Sequence, residues 1–567
     1  MTAPITVFQA RKILTMNPAQ PEATHVAVRD GRILAVGDLA RMASWGGYRL
    51  DTRYADAVLM PGLVEGHSHL MAGGLWQFTF CGFHARTGPD GRVWPGCRSF
   101  DEVVERLAAQ DARMAAEGAA PDAPLLAWGF DPIFFGTERM TVHHLDRVSS
   151  RRPVVILHAS QHLMNVNSPA LAAAGITRDN EIEGIARFAS GAQAGEPTGE
   201  LQEFAAMFPI TRLVGNVFRL TGASPQALRN FGRIAQLAGV TTATDLVNDL
   251  SDHNHAGLHE VTSDADFPVR LVPAFISMDG SLNLDQSVAR LRERQGQGND
   301  KLHYGLVKLV ADGSIQGFTA RLRWPGYHNG APNGIWIQPP AVLKALVARF
   351  HREGFAVHIH TNGDEATELA LDAVQAALED HPRSDHRHTL QHCQMADDAQ
   401  FHRMARLGMC VNLFANHIYY WGEAHLAQTM GPDRALRMDA CANALRRQVP
   451  LAIHSDAPIT PLAPLFTAWC AVNRLTSAGR VLGEAERISV ADALYAITMG
   501  AAFTLRMDDR IGSIEIGKFA DFCVLDQDPG AVAPEALKDV AVLGTVIGGR
   551  PLDLPSAAAQ GVAQGVA

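Results

Sequence analysis

The sequence predicts an α/β protein built around a (β/α)8 barrel of the TIM type, and three observations lead to this prediction. From about residue 239 onward, apolar runs of strand length alternate with helical patterns, which is typical of a parallel sheet. The candidate strands of this region are residues 240–245, 268–275, 305–310, 355–360, 388–393, 409–414 and 450–455. One further apolar run ends at His67, so the total reaches the eight strands that close such a barrel.

The two ends of the chain predict a smaller β unit beside the barrel. Residues 1–60 contain short strand-like segments separated by turns such as Asp30-Gly31, and residues 506–554 repeat this pattern. Because segments from opposite ends of a chain can pair, we expect one composite β-sandwich, which leaves residues 61–505 for the barrel. The tail at 555–567 is rich in Ala, Gln and Gly, and we expect it to be disordered.

Residues 75–225 do not follow the strand–helix repeat and are too numerous for a loop. They contain a helical pattern at 101–117 and strand-like runs that begin at Pro124 and Pro153. We interpret them as an insertion after the first barrel strand. Since the catalytic groups of such barrels lie at the C-terminal ends of the strands, the insertion is placed to cover the mouth of the site.

The composition favours small-molecule chemistry in a globular protein. The chain has 567 residues, a hydrophobic fraction of 47% and a formal net charge of -10, and it lacks the clustered Lys and Arg of a nucleic-acid surface. No apolar stretch reaches membrane-spanning length and no signal-peptide pattern is present, so we expect a cytoplasmic location. The seven cysteines are scattered without a Cys-x-x-Cys pair, and we expect them to be reduced.

The most informative motif is His67-Ser-His69 at the end of the first predicted barrel strand. Side chains alternate across a strand, so both imidazoles lie on one face and can bind a single metal ion. A His-x-His triplet can also arise by chance in a chain with 24 His. The metal interpretation is favoured by further candidate ligands at the ends of other predicted strands, namely Lys308, His360, His392 and Asp456.

Lys308 lies inside an apolar strand, where a charged side chain is costly to bury without a partner. One interpretation is a lysine that extends its amine past the strand end to solvent. The other is an amine with a depressed pKa that reacts with carbon dioxide, giving an N6-carboxylysine that bridges two metal ions.

Each of the other candidate ligands has an alternative. His358 and His360 share one face of the fifth predicted strand, so their spacing cannot distinguish them, although the Gly363-Asp364 turn favours His360 as the residue nearer the mouth. His388 is the corresponding rival of His392 in the sixth strand. Asp456 lies in a turn where a capping Asp is common, and His454 shares its face of the chain.

With these residues, the chain resembles the amidohydrolase superfamily, and within it the branch called amidohydrolase family 3, which includes N-substituted formamide deformylase. The resemblance covers nearly the whole length. It depends on Pro61–His69, on Lys308 with Asp312-Gly313 and Thr319-Ala320, on His360–Asp364, on Gln391–Gln394, on His454–Pro458 and on Gly512–Asp521. The chain departs from the family pattern in Glu65, Gln391 and His454, where Asp, Glu and a small residue are usual.

The resemblance implies a centre with one or two divalent metal ions, for which we expect zinc. His67, His69 and Asp456 would surround the first ion, and His360 and His392 the second, with carboxylated Lys308 between them. We hypothesise that hydroxide generated at the metal cleaves a non-peptide C–N bond, most simply an amide. Asp456 would move the proton to the leaving nitrogen.

The residues that follow the seventh predicted strand carry two further hypotheses. His417 is placed to steady a developing oxyanion, and the alternative is an ordinary surface His. A cluster of aromatic residues either lines an apolar pocket for an apolar or aromatic substrate or belongs to the core, and its members are Phe134, Phe135, Tyr419, Tyr420 and Trp421.

Other functions stay open from the sequence. The same site could serve a deaminase or a hydrolase of cyclic amides, ureas or lactones. A metal-free scaffold is a remote alternative, and the filled ligand positions argue against it. We expect a small-molecule substrate, no nucleic-acid or membrane partner, and a homodimer as the default assembly.

Overall fold

The computed structural model describes residues 4–554, except for residues 137, 216, 221–222 and 277–282. The tail at 555–567, for which we predict disorder, lies outside the described residues. Within the described ranges, no helix combines the length and the apolar character needed to cross a membrane.

Eight parallel strands form the central sheet, and the predicted barrel is confirmed. Each strand pairs with the next one along the chain, and every candidate strand of the sequence overlaps an observed one. The first to the eighth barrel strands are Leu63–Glu65, Val240–Asn248, Arg270–Phe275, Leu306–Val310, Ala356–Thr361, Thr389–His392, Cys410–Leu413 and Leu451–Ile453.

Helices alternate with these strands. The helix Asp364–Asp380 shows why: its buried residues recur with helical spacing at Ala366, Ala370, Ala373 and Ala377, and its first turn carries the acidic Asp364 and Glu365, which favour a helix N-terminus. The other long helices of the barrel are Pro225–Leu237, Asp252–Ser263, Leu284–Gln295, Pro340–Arg352, Asp398–Leu407 and Pro464–Asn473.

The first and eighth barrel strands meet through few contacts. Among the described residues they are joined by one parallel bridge, Ser68–Ala457, and by a hydrogen bond from His69 N to Ala457 O at 2.8 Å. Glu65 adds two acceptors, which receive the backbone N–H of Ser455 at 3.1 Å and its hydroxyl at 2.7 Å. This short seam therefore holds together the two chain segments that carry His67, His69 and Asp456.

Both ends of the chain contribute to one seven-stranded sheet. Phe522–Leu525 pairs antiparallel with the long strand Tyr48–Pro61, and Phe8 packs between the rings of Tyr54 and Phe522 at 6.1 and 6.2 Å. The residue limits of the predicted domains stay predictions. In sheet order the strands are Arg550–Asp553, Val542–Ile547, Phe522–Leu525, Tyr48–Pro61, Ile5–Leu14, Glu22–Arg29 and Arg32–Gly37.

The segment that follows the first barrel strand has a sheet and a core of its own. Its long helix, Phe100–Ala116, begins after Ser99, whose side chain accepts the N–H of Glu102 and so caps the helix. Its six strands, in sheet order, are Ile185–Arg187, Pro197–Gln202, Leu163–Val166, Val154–His158, Leu125–Phe130 and Thr79–Phe80. Further helices are Ser168–Ala173 and Glu203–Leu213.

A buried ion pair joins the barrel to the seven-stranded sheet. Arg270 of the third barrel strand donates to both carboxylate oxygens of Asp521, at 2.6 and 2.9 Å, and its guanidinium lies 3.5 Å from the ring centroid of Phe519. Both charged side chains are nearly inaccessible, at 2% and 4% exposed. Removing one charge would leave the other buried without a partner.

We therefore expect Asp521→Asn to lower the free energy of unfolding by about 3 kcal/mol, because the charge of Arg270 loses its compensation. Urea denaturation of the metal-free protein measures this loss. Asp380→Asn is the control, since its pair with Arg352 is exposed and solvent screens it. Equal effects of the two substitutions would contradict the prediction.

Candidate metal centre

Three predicted ligands meet at the seam between the first and eighth strands. His67 Nε2 and His69 Nε2 lie 3.2 and 3.1 Å from Asp456 Oδ1, and all three side chains are buried. This convergence follows from strand geometry, because His67 and His69 project from one face of the first strand end. Asp456 reaches them from a positive backbone φ of 52°, a conformation that Asp tolerates better than most residues.

Gln391 orients the imidazole of His67. Its Oε1 accepts the Nδ1–H of His67 at 2.7 Å and also accepts the side-chain amide of Asn412 at 3.0 Å. With Nδ1 protonated, the lone pair of the neutral His67 ring is on Nε2, which faces Asp456. Burial lowers the pKa of His67 well below its usual value, so the ring is neutral, as a ligand must be.

Asp456 is held as a carboxylate. Burial acts to raise its pKa, but the hydrogen bond and charge of His69 outweigh burial, and the pKa lies below its ordinary value. Its Oδ1 faces the two imidazole nitrogens, and His69 Nδ1 and His392 Nδ1 are buried without a hydrogen-bond partner among the described residues. Two imidazoles and one carboxylate that converge in this way fit a divalent ion such as zinc.

The structure brings His360 and His392 together and separates them from their rivals. The two rings lie 4.4 Å apart, and the ring of His392 lies 4.6 Å from that of His67. His358 is on the same strand, but its nitrogens are used by Gln391 Nε2 at 2.7 Å and by the carbonyl of Thr504 at 3.2 Å. Of the two candidates on the fifth strand, His360 is therefore the one beside His392.

His388, the rival of His392, belongs to a separate group of imidazoles before the sixth strand. Val357 N–H donates to His388 Nδ1 at 3.0 Å, so His388 Nε2–H donates to His351 Nδ1 at 2.8 Å. His351 Nε2–H then donates to the carbonyl of His381 at 2.6 Å. All four ring nitrogens are therefore satisfied in the neutral state, and none is left free as a metal ligand.

The imidazole network predicts acid lability. Burial lowers the pKa of His351 and of His388, so near pH 6 the unfolded chain binds protons that the folded chain does not. We expect these groups to leave the free energy of unfolding unchanged above about pH 6.5. Below that pH they should lower it by about 1.4 kcal/mol per pH unit for each group. Urea titrations of metal-free protein between pH 8 and 5 measure this slope.

The matched variant is His388→Gln, which keeps a polar side chain of similar size but cannot become a cation. Its stability should depend less steeply on pH below 6.5 than that of the wild type. Identical slopes in the two proteins would show that His388 does not titrate on unfolding.

Lys308 lies in the interior of the barrel, in register with His358 on the neighbouring strand. It is 2% exposed, and the described residues give its amine no hydrogen bond and no ion pair within 4.0 Å. Burial lowers the pKa of the amine to about 7, against a smaller opposing effect of the Asp456 charge. The alternative of a lysine that reaches solvent is therefore wrong.

Glu65 stabilises the backbone around the centre. Besides the two hydrogen bonds from Ser455, it accepts the N–H of His67 at 3.4 Å. Burial raises the pKa of Glu65 to about 8 in spite of these donors. The sequence marks Glu65 only as a departure from a family pattern, and its contact with Ser455 depends on a pairing between distant segments.

The insertion contributes an imidazole that the sequence analysis did not include. His162 Nδ1 lies 2.8 Å from Glu203 Oε2, and its ring lies 5.8 Å from that of His360. Burial acts to lower the pKa of His162, but the charge and hydrogen bond of Glu203 raise it above its usual value. A signal existed: His162 follows a strand-like run that begins at Pro153, as the candidate ligands follow barrel strands.

His417 lies in the helix Asn416–Ala424, directly after the seventh strand, and is buried. The alternative of a surface His is therefore wrong. Its Nδ1 is 3.3 Å from Asp439 Oδ1, and its ring lies 4.2 Å from that of Phe414. The oxyanion role additionally requires a proton on Nε2.

The rings of the predicted aromatic cluster make two different sets of contacts. Phe134 lies 6.3 Å from the ring of Trp421, whose Nε1–H donates to Asp131 at 2.9 Å, so this pair joins the insertion to the seventh-strand helix. Phe135 instead packs on Phe100 at 4.8 Å, inside the core of the insertion. Phe135 thus packs against the core of the insertion, and the pocket interpretation of the cluster stays a prediction.

Comparisons with known proteins agree with this architecture. The family model of the amidohydrolase family matches residues 55–553 of this chain. LONG AFTER FAR-RED 3 from Arabidopsis thaliana is 29% identical over 559 residues, which cover 95% of this chain and 90% of that protein. N-substituted formamide deformylase from Arthrobacter pascens is 26% identical over 565 residues, which cover 95% of this chain and 96% of that protein.

A solved structure resembles the fold over nearly its full length. An uncharacterized metal-dependent hydrolase from Pyrococcus horikoshii superposes with a TM-score of 0.70 at 19% identity, over 94% of this chain and 99% of that one. At 19% identity this structure shows that the fold is shared, whereas membership of the family is shown by the sequence match. The chain belongs to the amidohydrolase family, and it is an enzyme that hydrolyses carbon–nitrogen bonds other than peptide bonds.

Proposed function

We propose that the protein is a metal-dependent hydrolase that cleaves the amide bond of a small substrate with an apolar or aromatic group. The observation that carries this proposal is the convergence of His67 Nε2 and His69 Nε2 on Asp456 Oδ1 at 3.2 and 3.1 Å. Buried imidazole and carboxylate atoms at such distances form a ligand set for a divalent cation.

His67, His69 and Asp456 would hold the first ion, and His360 and His392 a second, with carboxylated Lys308 serving both. Zinc suits these ligands. A bound divalent ion supplies Lewis acidity, which lowers the pKa of water from 15.7 toward about 7. The depressed pKa of Lys308, about 7, leaves a share of its amine neutral at neutral pH, the form that reacts with carbon dioxide.

Asp456 supplies the proton transfers. Its lowered pKa keeps the carboxylate ionised at neutral pH, so Oδ1 or Oδ2 accepts a proton from the attacking water and passes it to the leaving nitrogen. His417 would donate a hydrogen bond to the oxygen that gains negative charge, with Asp439 holding the other ring nitrogen.

Contacts between aromatic rings of the insertion and of the helix Asn416–Ala424 support an apolar or aromatic substrate. The ring of His84 lies 5.1 Å from that of Phe134 and 4.9 Å from that of Tyr420, so the insertion and the helix after the seventh strand form one apolar wall. Such a wall excludes water and favours an apolar or aromatic substituent.

The test is a hydrolysis screen of metal-loaded enzyme with N-substituted formamides, other N-acyl compounds, cyclic amides, ureas, lactones and aminoazines. N-substituted formamides are tested first, because the relative from Arthrobacter pascens is named as a deformylase of these compounds. Release of amine and carboxylate from an open-chain amide is the expected result. Exclusive release of ammonia from aminoazines, or of ring-opened products, would replace the proposal with a deaminase or a cyclic-substrate hydrolase.

A further inference from the structure

His454 is a buried imidazole with neither ring nitrogen bonded. The residue is 1% exposed, and both Nδ1 and Nε2 lie without a hydrogen-bond partner among the described residues. Leaving one buried polar atom unsatisfied costs about 1–3 kcal/mol, so an imidazole with two such atoms requires an explanation.

Three rings surround the imidazole of His454. The ring is stacked between His67, at 4.5 Å and an interplanar angle of 14°, and Phe414, at 4.9 Å and 22°. The ring of His392 lies 5.0 Å away at a steep angle of 64°. Phe414 offers no acceptor, so the nitrogens of His454 have no partner on that side.

Buried imidazoles elsewhere in the described structure show what a bonded ring looks like. His158, 2% exposed, pairs through Nε2 with Asn165 Oδ1 at 2.6 Å, and the network of His351 and His388 uses every ring nitrogen. Single unpartnered ring nitrogens occur at His69 and His392 and also outside the centre, at His25 and His84, but among the described residues only His454 has both ring nitrogens buried without a partner.

We infer that His454 is a metal ligand, and that His67, His392 and His454 form a three-imidazole position for a divalent transition-metal ion. Their candidate ligand atoms lie within 4.8 Å of one another, and all three residues are buried. The inference rests on the proposed function only in that the centre holds a metal ion. It adds a ligand that neither the sequence analysis nor the proposed function assigns.

The new position shares His67 with the position formed by His67, His69 and Asp456. Since His67 Nδ1 is bonded to Gln391, only Nε2 is free, and one ion occupies one position at a time. The three-imidazole position is neutral, whereas the other includes a carboxylate. Nitrogen-preferring ions such as Zn²⁺, Ni²⁺ and Cu²⁺ should favour His454, and Mn²⁺ should favour the carboxylate.

The experiment uses full-length protein stripped of metal and loaded with one equivalent of Zn²⁺ or Mn²⁺. Competition with a chromophoric chelator gives the affinity, and X-ray absorption of the wild type counts imidazole ligands. We expect His454→Phe, which keeps a stacked ring, to weaken Zn²⁺ binding by at least about 100-fold, since loss of even an outer-sphere partner costs about 10–100-fold. Mn²⁺ affinity should change by less than about threefold.

His158→Phe is the matched control, because it removes a buried imidazole outside the centre. It should leave both metal affinities unchanged. Three imidazoles around Zn²⁺ in the wild type support the inference even if His454→Phe does not fold. Unchanged Zn²⁺ affinity in folded His454→Phe, or two imidazoles in the wild type, would overturn it and leave the proposed function intact. Absence of any metal binding by the wild type would overturn both.

Discussion

Asp456→Asn is expected to lower kcat/KM by about 10³-fold or more without unfolding the protein. The substitution keeps the shape of the side chain but removes the base that accepts a proton from water and returns it to the leaving nitrogen. His67 and His69 remain, so the metal content should persist. Steady-state kinetics on the best amide of the screen, with elemental analysis of the same sample, measures both quantities.

Asp398→Asn is the control for this substitution. Asp398 is the first residue of the helix Asp398–Leu407, and its exposed carboxylate pairs with Arg447 at the surface. Its turnover should equal that of the wild type. If Asp456→Asn kept wild-type turnover with metal bound, the proton-transfer role of Asp456 would be wrong.

Lys308→Met is expected to change activity and stability in opposite directions. Met fills the volume of the lysine stem, so the barrel interior keeps its packing while the buried amine disappears. Turnover should fall by at least about 100-fold, because a ligand, carboxylated or not, is lost. The metal-free variant should nevertheless be more stable than the metal-free wild type at neutral pH, by about 1–4 kcal/mol.

The sign of this stability difference follows from the depressed pKa. The amine of Lys308 has a pKa of about 7 in the folded chain and an ordinary value of 10.5 in the unfolded chain. Between these values the unfolded chain binds one more proton, so wild-type stability rises with pH and the deficit disappears near pH 10.5. Below pH 7 both states are protonated and the deficit is constant.

Urea denaturation of both metal-free proteins from pH 6 to pH 10.5 tests this prediction. The difference in unfolding free energy between Lys308→Met and the wild type should shrink across that range. Lys344→Met is the control, since Lys344 lies exposed on the helix Pro340–Arg352 and should give no pH-dependent difference. A constant difference for Lys308→Met would show that its amine is not desolvated.

Much of the barrel could be predicted because parallel strands buried on both faces appear as continuous apolar runs. Residues 305–310 and 355–360, for example, coincide with strands Leu306–Val310 and Ala356–Thr361. The positions of His67, His69 and Asp456 followed from the rule that such strands end at one rim. The shared position at strand ends therefore predicted the candidate ligands better than any single motif did.

What could not be predicted depends on which distant segments meet. The side chains of His358 and His360 share a face, and only the positions of Gln391 and Thr504 show which imidazole is used elsewhere. Glu203 reaches His162 through the sheet of the insertion, whose strand order does not follow the chain. Local pattern contains no information about such pairings, because hydrophobic period specifies a face and not a neighbour.

The seam between the first and eighth strands has a consequence for folding. His67 and His69 stand on one side of that gap and Asp456 on the other, while Ser68–Ala457 is the sole strand bridge described across it. A cation coordinated by residues on both sides would close the barrel at this point. Metal binding and barrel closure would then be coupled, so the free energy of metal binding would add to the stability of the folded state.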